Sequence, residues 1–100
     1  MPTRSEATKP ADIEKLLIAT VCELQKSSGR EGVMVSGDTR PVQDMPGFDS
    51  LNGVETTVEI SHILDIELNS NNVFVEDGKA ITIAEAAKRI YASLPQKSHA

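Results

Sequence analysis

The chain has 100 residues, of which 39% are hydrophobic and 3% aromatic, and it carries 15 acidic against 10 basic side chains for a formal charge of -5. This length suits one domain with a modest core. A single Cys excludes an internal disulfide framework and a Cys-based zinc cluster, and the acidic balance argues against binding to nucleic acid. Because no apolar run reaches about 18 residues and the start lacks an apolar signal segment, we expect a cytoplasmic protein with no membrane span. We also expect it to be a monomer.

The acidic side chains are concentrated in the middle of the chain. Residues 41–78 hold eight Asp and Glu and neither Lys nor Arg. Such a field of one sign attracts basic partner surfaces and speeds their encounter. A solvated acidic face that only maintains solubility is the alternative.

The first predicted helix runs from about Pro10 to Ser28, with Thr8 as its cap and Gly29 as its C-terminal stop, after a flexible segment 1–8. Its apolar stripe recurs at three- and four-residue spacing and comprises Ile13, Leu16, Leu17, Thr20, Val21 and Leu24. Cys22 lies beside this stripe, so we expect a small buried or half-buried side chain rather than a nucleophile.

A long connection over residues 29–48 follows and is punctuated by Gly and Pro. Val33-Met34-Val35 fits a short strand, although the sequence offers it no evident partner. Val42 and Met45 are apolar at three-residue spacing, which predicts that this part of the connection packs onto the core. Connections of this length in a small domain are often functional.

The second predicted helix begins at Asp49-Ser50 and ends near Leu64. Its apolar positions include Leu51, Val54, Val58, Ile60, Ile63 and Leu64. Asn52, Glu55, Glu59 and His62 share the opposite, solvent-facing side at helical spacing. Gly53 is a local inconsistency, since glycine costs about 1 kcal/mol against alanine within a helix.

The last third contains an irregular stretch and a third main helix. Val73-Phe74-Val75 fits either a short helical turn or a strand with inward side chains. Thr82-Ile83-Ala84-Glu85 forms a capping box, with Ile81 ahead of it as half of a hydrophobic staple. The predicted buried stripe is Ile83, Ala86, Ala87, Ile90, Tyr91 and Leu94, and Pro95 ends the helix before a flexible tail over 95–100. The sequence therefore predicts an all-α fold over residues 9–94: a small bundle of three main helices plus a short helical turn, with a long loop between the first two.

Ser50 lies where the long connection meets the acidic second helix. The first turn of a helix has unsatisfied N–H groups and the positive end of the macrodipole, so a phosphate attached to Ser50 would lie at an anion-binding position. A junction of this kind is also exposed to a modifying enzyme. The alternative is that Asp49 or Ser50 serves only as the N-cap.

Residues 41–94 resemble an acyl carrier protein. The modification motif of that family stands here as Asp49-Ser50-Leu51, and Val54-Glu55 occupies the place of a Val-Glu pair in the family's recognition helix. Residues 64–68, Leu-Asp-Ile-Glu-Leu, resemble the ending of that helix, and residues 81–83, Ile-Thr-Ile, precede an Ala-rich last helix as in the family. The resemblance implies an acyl-carrier-like fold and a carrier that is not itself an enzyme.

The resemblance also implies a cofactor and partners. Ser50 would carry 4'-phosphopantetheine, whose thiol holds acyl intermediates as thioesters, with Asp49 and Leu51 beside it. The partners would be a phosphopantetheinyl transferase and acyl-loading and acyl-processing enzymes with basic docking surfaces. The residues implied to contact them are Asn52, Val54, Glu55, Val58, Glu59 and His62.

Departures from the family pattern indicate a specialised carrier. Ser61, His62 and Ile63 stand where the recognition helix usually carries acids, and Thr56 and Thr57 stand where apolar residues are usual. We therefore expect a smaller or more polar acyl cavity and a role in a specialised fatty-acid, polyketide or related pathway.

The residues bear differently on four other functions. A serine hydrolase is disfavoured because Ser50 lacks the G-x-S-x-G elbow, and because His62, twelve residues along the same helix, would lie about 18 Å away. A calcium loop over residues 65–76 lacks the glycine that its sharp turn needs. An unmodified helical module that docks a basic partner through the acidic helix stays open, as does phosphorylation of Ser50.

Overall fold

The computed structural model describes residues 9–27, 29, 34–68 and 70–94. In chain order the elements are α1 (Pro10–Ser27), the short α2 (Pro41–Asp44), α3 (Ser50–Leu64), strands β1 (Val75–Glu76) and β2 (Lys79–Ala80), and α4 (Ile83–Ser93). The protein is thus small and mainly helical, with little strand, and the three main helices predicted from the sequence are confirmed. Helix α1 packs against both α3 and α4. The described helices include none with the length and apolar character needed to cross a membrane.

Helix α1 buries a line of side chains at every fourth position. This line consists of Ile13, Leu17, Val21 and Gln25. Cys22 is exposed, so the prediction of a buried or half-buried thiol was wrong: one residue past Val21 is a rotation of about 100° away from the buried line. Thr8 and Ser28, the predicted cap and last residue, lie outside the described residues.

Two phenylalanines pack against each other in the core. Phe48 precedes α3 and Phe74 follows it, and their rings meet edge to face with centroids 5.9 Å apart. Phe74 has no exposed surface and Phe48 is 2% exposed. Met45 is also buried and Val42 packs against the core, which confirms that this part of the long connection is anchored.

The short elements differ from the prediction. The short helical turn lies at Pro41–Asp44 and not at Val73–Val75. Val73 and Phe74 form a turn with buried side chains instead, and Val75 enters β1, which pairs antiparallel with β2. The two residues between these strands, Asp77 and Gly78, have φ of 52° and 77°, which is the backbone of a two-residue hairpin turn.

The strand predicted at residues 33–35 is wrong for the two of these residues that the structure describes. Met34 and Val35 have no strand structure, and Met34 is 91% exposed. Val33 lies outside the described residues.

Helix α4 begins with the predicted capping box. The Thr82 side chain accepts from the Glu85 N–H at 3.1 Å, and the Glu85 carboxylate accepts from the Thr82 N–H at 2.9 Å. Two further N–H groups of the first turn, those of Ile83 and Ala84, donate to the carbonyls of Thr39 and Gly37. The long connection therefore completes the cap of α4, and the predicted buried residues Ile83, Ala86, Ala87 and Ile90 face the core. Pro95 and the tail lie beyond the described residues.

The capping box makes a pH dependence of stability expected. Hydrogen bonds from Thr82, with smaller contributions from Arg40 and Lys88, hold the pKa of Glu85 below its ordinary value of 4.5. A lowered folded-state pKa stabilises the protein above the unfolded-state pKa, and this contribution disappears as the pH falls through the folded-state pKa. We expect Glu85→Gln to lower the urea midpoint at pH 7 and to have little effect at pH 2. A Glu85→Gln deficit as large at pH 2 as at pH 7 would contradict this assignment.

Candidate functional site

Asp49, and not Ser50, is the N-cap of α3. Its carboxylate accepts from the Asn52 N–H at 3.1 Å, and the Asn52 side chain accepts from the Asp49 N–H at 3.1 Å. The two residues satisfy each other's backbone donors as a capping box does. Ser50 is the first residue of the helix and is not its cap.

The Ser50 hydroxyl is exposed and free for chemistry. The structure gives its Oγ no hydrogen-bond partner among the described residues. The backbone of Ser50 is nevertheless held firmly, because its carbonyl accepts a hydrogen bond from Nδ2 of Asn72 at 3.2 Å. The serine thus combines a fixed backbone with a hydroxyl that has no structural task.

Asn72 links the segment after α3 to the first turn of α3. While Nδ2 donates to the Ser50 carbonyl, Oδ1 accepts from the Phe74 N–H at 3.0 Å. One turn further along α3, Oγ1 of Thr57 donates to the Gly53 carbonyl at 2.7 Å and accepts from the Val73 N–H at 2.9 Å. We call this set of side-chain bonds, made by Asn72 and Thr57, the polar seam.

Gly53 makes room for the polar seam and is buried. A Cβ at this position would lie 2.6 Å from Cγ of Asn72, closer than side-chain atoms can approach. The glycine that looked inconsistent with a helix therefore leaves space for Asn72, 19 positions later in the chain, whose amide any larger residue would displace.

Gly53→Ala provides a test of this explanation. Alanine ordinarily stabilises a helix interior by about 1 kcal/mol over glycine, but here we expect a net loss of about 1–3 kcal/mol because the displaced Asn72 loses its bonds. Urea denaturation measures the change. In an Asn72→Ala background the same substitution should become neutral or stabilising, and a stabilising effect in the unaltered chain would refute the explanation.

The buried face of α3 is more polar than the sequence pattern indicated. It consists of Gly53, Thr56, Thr57, Ile60 and Leu64. Thr56 is 1% exposed and donates its hydroxyl to the Asn52 carbonyl at 2.9 Å. The threonines can be buried because helix carbonyls and the Val73 N–H satisfy their hydroxyls.

The outer face of α3 combines apolar and acidic side chains. Leu51 is 65% exposed and Val58 is 63% exposed, while Val54 is half-buried. Glu55 and Glu59 are exposed one turn apart, and Glu55 accepts from Nδ2 of Asn52 at 3.2 Å. These residues form the surface that we call the outer face of α3. His62, also exposed, lies near its far end.

A groove of about 430 Å³ runs between α1 and the acidic edge of α3. Its rim includes Glu23 of α1 as well as Glu55 and Glu59 of α3. The negative potential therefore extends across both helices, which is an arrangement that attracts cationic surfaces.

The structure also shows where the residues of the hydrolase and calcium alternatives lie. Ser50 and His62 lie at opposite ends of the unbroken helix α3, beyond reach for proton transfer. Among the described His, Cys, Asp and Glu side chains, no group of three could hold a metal ion. Glu76, the last residue of the 65–76 loop, belongs to β1, and residue 69 of that loop lies outside the described residues.

Gln25 is a site-supporting residue that the sequence pattern did not reveal. It is 4% exposed, and its Nε2 donates to the Pro46 carbonyl at 3.3 Å. This bond joins α1 to the loop that leads into Asp49 and Ser50. Gln25 lies four residues after the buried Val21, and this helical spacing was the feature of the sequence that could have indicated its burial.

The comparisons with known proteins leave the family open. A scan against protein-family models gives no match, and searches of curated proteins and of solved structures find no chain similar to this one. The sequence motif and the site geometry are therefore the grounds on which a function can be inferred.

Proposed function

We propose that this protein is an acyl carrier that bears 4'-phosphopantetheine on Ser50. The observation that carries the proposal is the Ser50 hydroxyl, which is exposed at the start of α3 while Asp49 performs the capping. The serine also stands in an Asp-Ser-Leu motif, so its sequence context and its freedom from structural work favour the same role.

In the attachment reaction the protein supplies only the accepting hydroxyl. The Ser50 oxygen would replace the nucleotide part of coenzyme A at a phosphate, forming a phosphodiester while that nucleotide leaves, and the transferase supplies catalysis. The phosphate would then lie beside the first turn of α3, where the macrodipole favours negative charge. The thiol at the end of the arm holds the acyl group as a thioester for a specialised fatty-acid, polyketide or related pathway.

The outer face of α3 supplies the proposed docking surface. Leu51, Val54 and Val58 offer apolar contact near Ser50, and Glu55 and Glu59 offer charge for Lys or Arg of a partner. Asn52 donates a hydrogen bond to the Glu55 carboxylate. His62 lies at the far end of this surface. Docking through exposed charges is fast and weak, as suits a carrier that must leave each enzyme in turn.

Intact-protein mass spectrometry tests the proposal. The chain is incubated with coenzyme A, Mg²⁺ and a broad-specificity phosphopantetheinyl transferase, alongside a known carrier as a positive control. We expect the mass to rise by one phosphopantetheinyl group. No gain under conditions that load the control would reject the carrier function.

An unmodified docking module is the second candidate function. It is favoured by one observation, the exposed pair Leu51 and Val58 beside Glu55 and Glu59. In that case the same face would bind a basic partner without any arm on Ser50. A carrier and a docking module both need this face, but only the carrier needs the Ser50 hydroxyl.

Charge reversal on α3 is expected to slow loading. Glu55→Lys with Glu59→Lys should reduce the loading rate by about tenfold or more at low ionic strength, because electrostatic steering is lost. The defect should shrink as added salt screens the charges. Asp38→Lys with Glu67→Lys changes the net charge equally outside α3 and serves as the control. Equal rates for both double variants would show that the charges of α3 have no specific role.

A further inference from the structure

We infer that the polar seam keeps an acyl chain attached at Ser50 outside the hydrophobic core, and that Asn72 and Thr57 determine this. The inference rests on the proposed function, since it concerns the cargo of that site. It assigns the protein a cargo that stays on the surface, either a short or polar acyl group or a chain that lies on the outer face of α3.

The seam lies on the direct route from Ser50 to the core. Phe74, which belongs to the segment bonded to α3, has no exposed surface and contacts Phe48 edge to face in the core. A chain that starts at Ser50 reaches this interior between the first turns of α3 and the segment 72–74. Both sides of that gap are described, and hydrogen bonds join them.

Three features close the gap. Asn72 bonds to the Ser50 carbonyl at its mouth, and Thr57 bonds to the Val73 N–H at 2.9 Å deeper inside. Between them, the Asn72 amide occupies the space above Gly53 so fully that a single methyl group would collide with it. An entering chain would have to displace Asn72, which removes the acceptor of the part-buried Phe74 N–H. To go deeper it would also have to break the buried bond between Thr57 and the Val73 N–H, at the cost of an unpaired buried donor.

The outer face offers a chain an alternative position. Leu51, next to Ser50, and Val58, about two helical turns farther along α3, are exposed and can be covered without breaking any hydrogen bond. Partial contact with these side chains removes less apolar surface from water than full burial does, so a chain there adds little to stability.

The test attaches the chain chemically, so that it does not depend on a transferase. In a Cys22→Ser, Ser50→Cys chain, the introduced thiolate attacks an alkyl methanethiosulfonate, forms a disulfide with the alkylthio group and releases methanesulfinate. Replacing Cys22 is necessary because that thiol is exposed. Methyl and octyl adducts are compared by thermal unfolding and by amide NMR shifts of Val73 and Phe74.

We expect the octyl and methyl adducts to unfold within about 1 °C of each other, with no octyl-specific shift at Val73 or Phe74. Adding Asn72→Ala should open the seam, so that the octyl group raises Tm by about 4 °C or more over methyl and shifts both amides. Asn71→Ala, an exposed neighbour, is the matched control and should behave like the parent chain.

Two results would overturn the inference. One is octyl stabilisation of several degrees with shifts at Val73 and Phe74 while the seam is intact. The other is an opened seam that still gains nothing from the octyl group. If Asn72→Ala does not fold, Asn72→Ser provides the same comparison, because the smaller side chain vacates the space above Gly53 while its hydroxyl can still accept from the Phe74 N–H. Failure of transferase loading would reject the carrier function, but it would not change what the octyl and methyl adducts show about the polar seam.

Discussion

Ser50→Ala is expected to abolish attachment of the phosphopantetheine arm while leaving the fold unchanged. The substitution removes the attacking oxygen, so the gain in intact mass should vanish completely. Stability should change by no more than about 0.5 kcal/mol, as for surface positions without a structural role. Asp49 and Asn52 retain the cap of α3, since neither of their bonds involves the Ser50 hydroxyl.

Two controls make this result interpretable. Ser61→Ala removes another serine hydroxyl from the same helix, one that donates to the Val58 carbonyl, and should load normally. Asp49→Ala should lower stability by about 1 kcal/mol, because it removes the cap. Mass gain that survives the substitution would mean that Ser50 is not the attachment point. A large loss of helix content in Ser50→Ala would mean that Ser50 is chiefly a structural cap.

Phe74→Ala is expected to cause the largest loss of stability, about 3–5 kcal/mol. Phe74 is completely buried and its ring contacts Phe48 edge to face. A domain of this size has a total stability of about 5–15 kcal/mol, so the variant should be close to unfolding at ambient temperature. Chemical denaturation of the variant and of the milder Phe74→Leu gives the comparison.

Phe74→Ala should also disturb the loop that leads into Ser50. Phe48 lies two residues ahead of the serine, and it loses its packing partner when Phe74 is removed. A double-mutant cycle with Phe48→Leu and Phe74→Leu should give a coupling of about 0.5–1.5 kcal/mol for the aromatic pair. Additive losses would show that the two rings contribute independently and that the pair does not brace the loop.

Local patterns predicted the parts of this fold that depend on neighbouring residues. The bounds of α1 and α3 follow from helical spacing and from residues that begin helices, and the capping box of Thr82 and Glu85 is visible as a four-residue motif. The position of Ser50 at the start of an acidic helix was predictable for the same reason. Which residue caps that helix was not, because Asp and Ser are both strong N-caps.

Features that depend on distant residues could not be predicted in this way. Gly53 is explained by Asn72, and buried Thr57 by the Val73 N–H, and neither pairing leaves a periodic trace in the sequence. The hairpin is different, since Asp77-Gly78 is a strong local signal for a two-residue turn and could have been predicted from the sequence. The burial of Cys22 was predicted wrongly because a step of one residue along α1, from Val21 to Cys22, leads from the buried side of the helix to the exposed side.

The bond between Gln25 and the Pro46 carbonyl has a consequence for how this end of α3 meets other molecules. Together with buried Met45 and Phe48, it fixes the loop ahead of Ser50 before any encounter. Ordering a flexible segment on binding costs conformational entropy, roughly 1–2 kcal/mol for each backbone residue that becomes fixed. A partner that approaches Ser50 finds that entropy already lost during folding, so a few contacts suffice for recognition and the complex can still separate quickly.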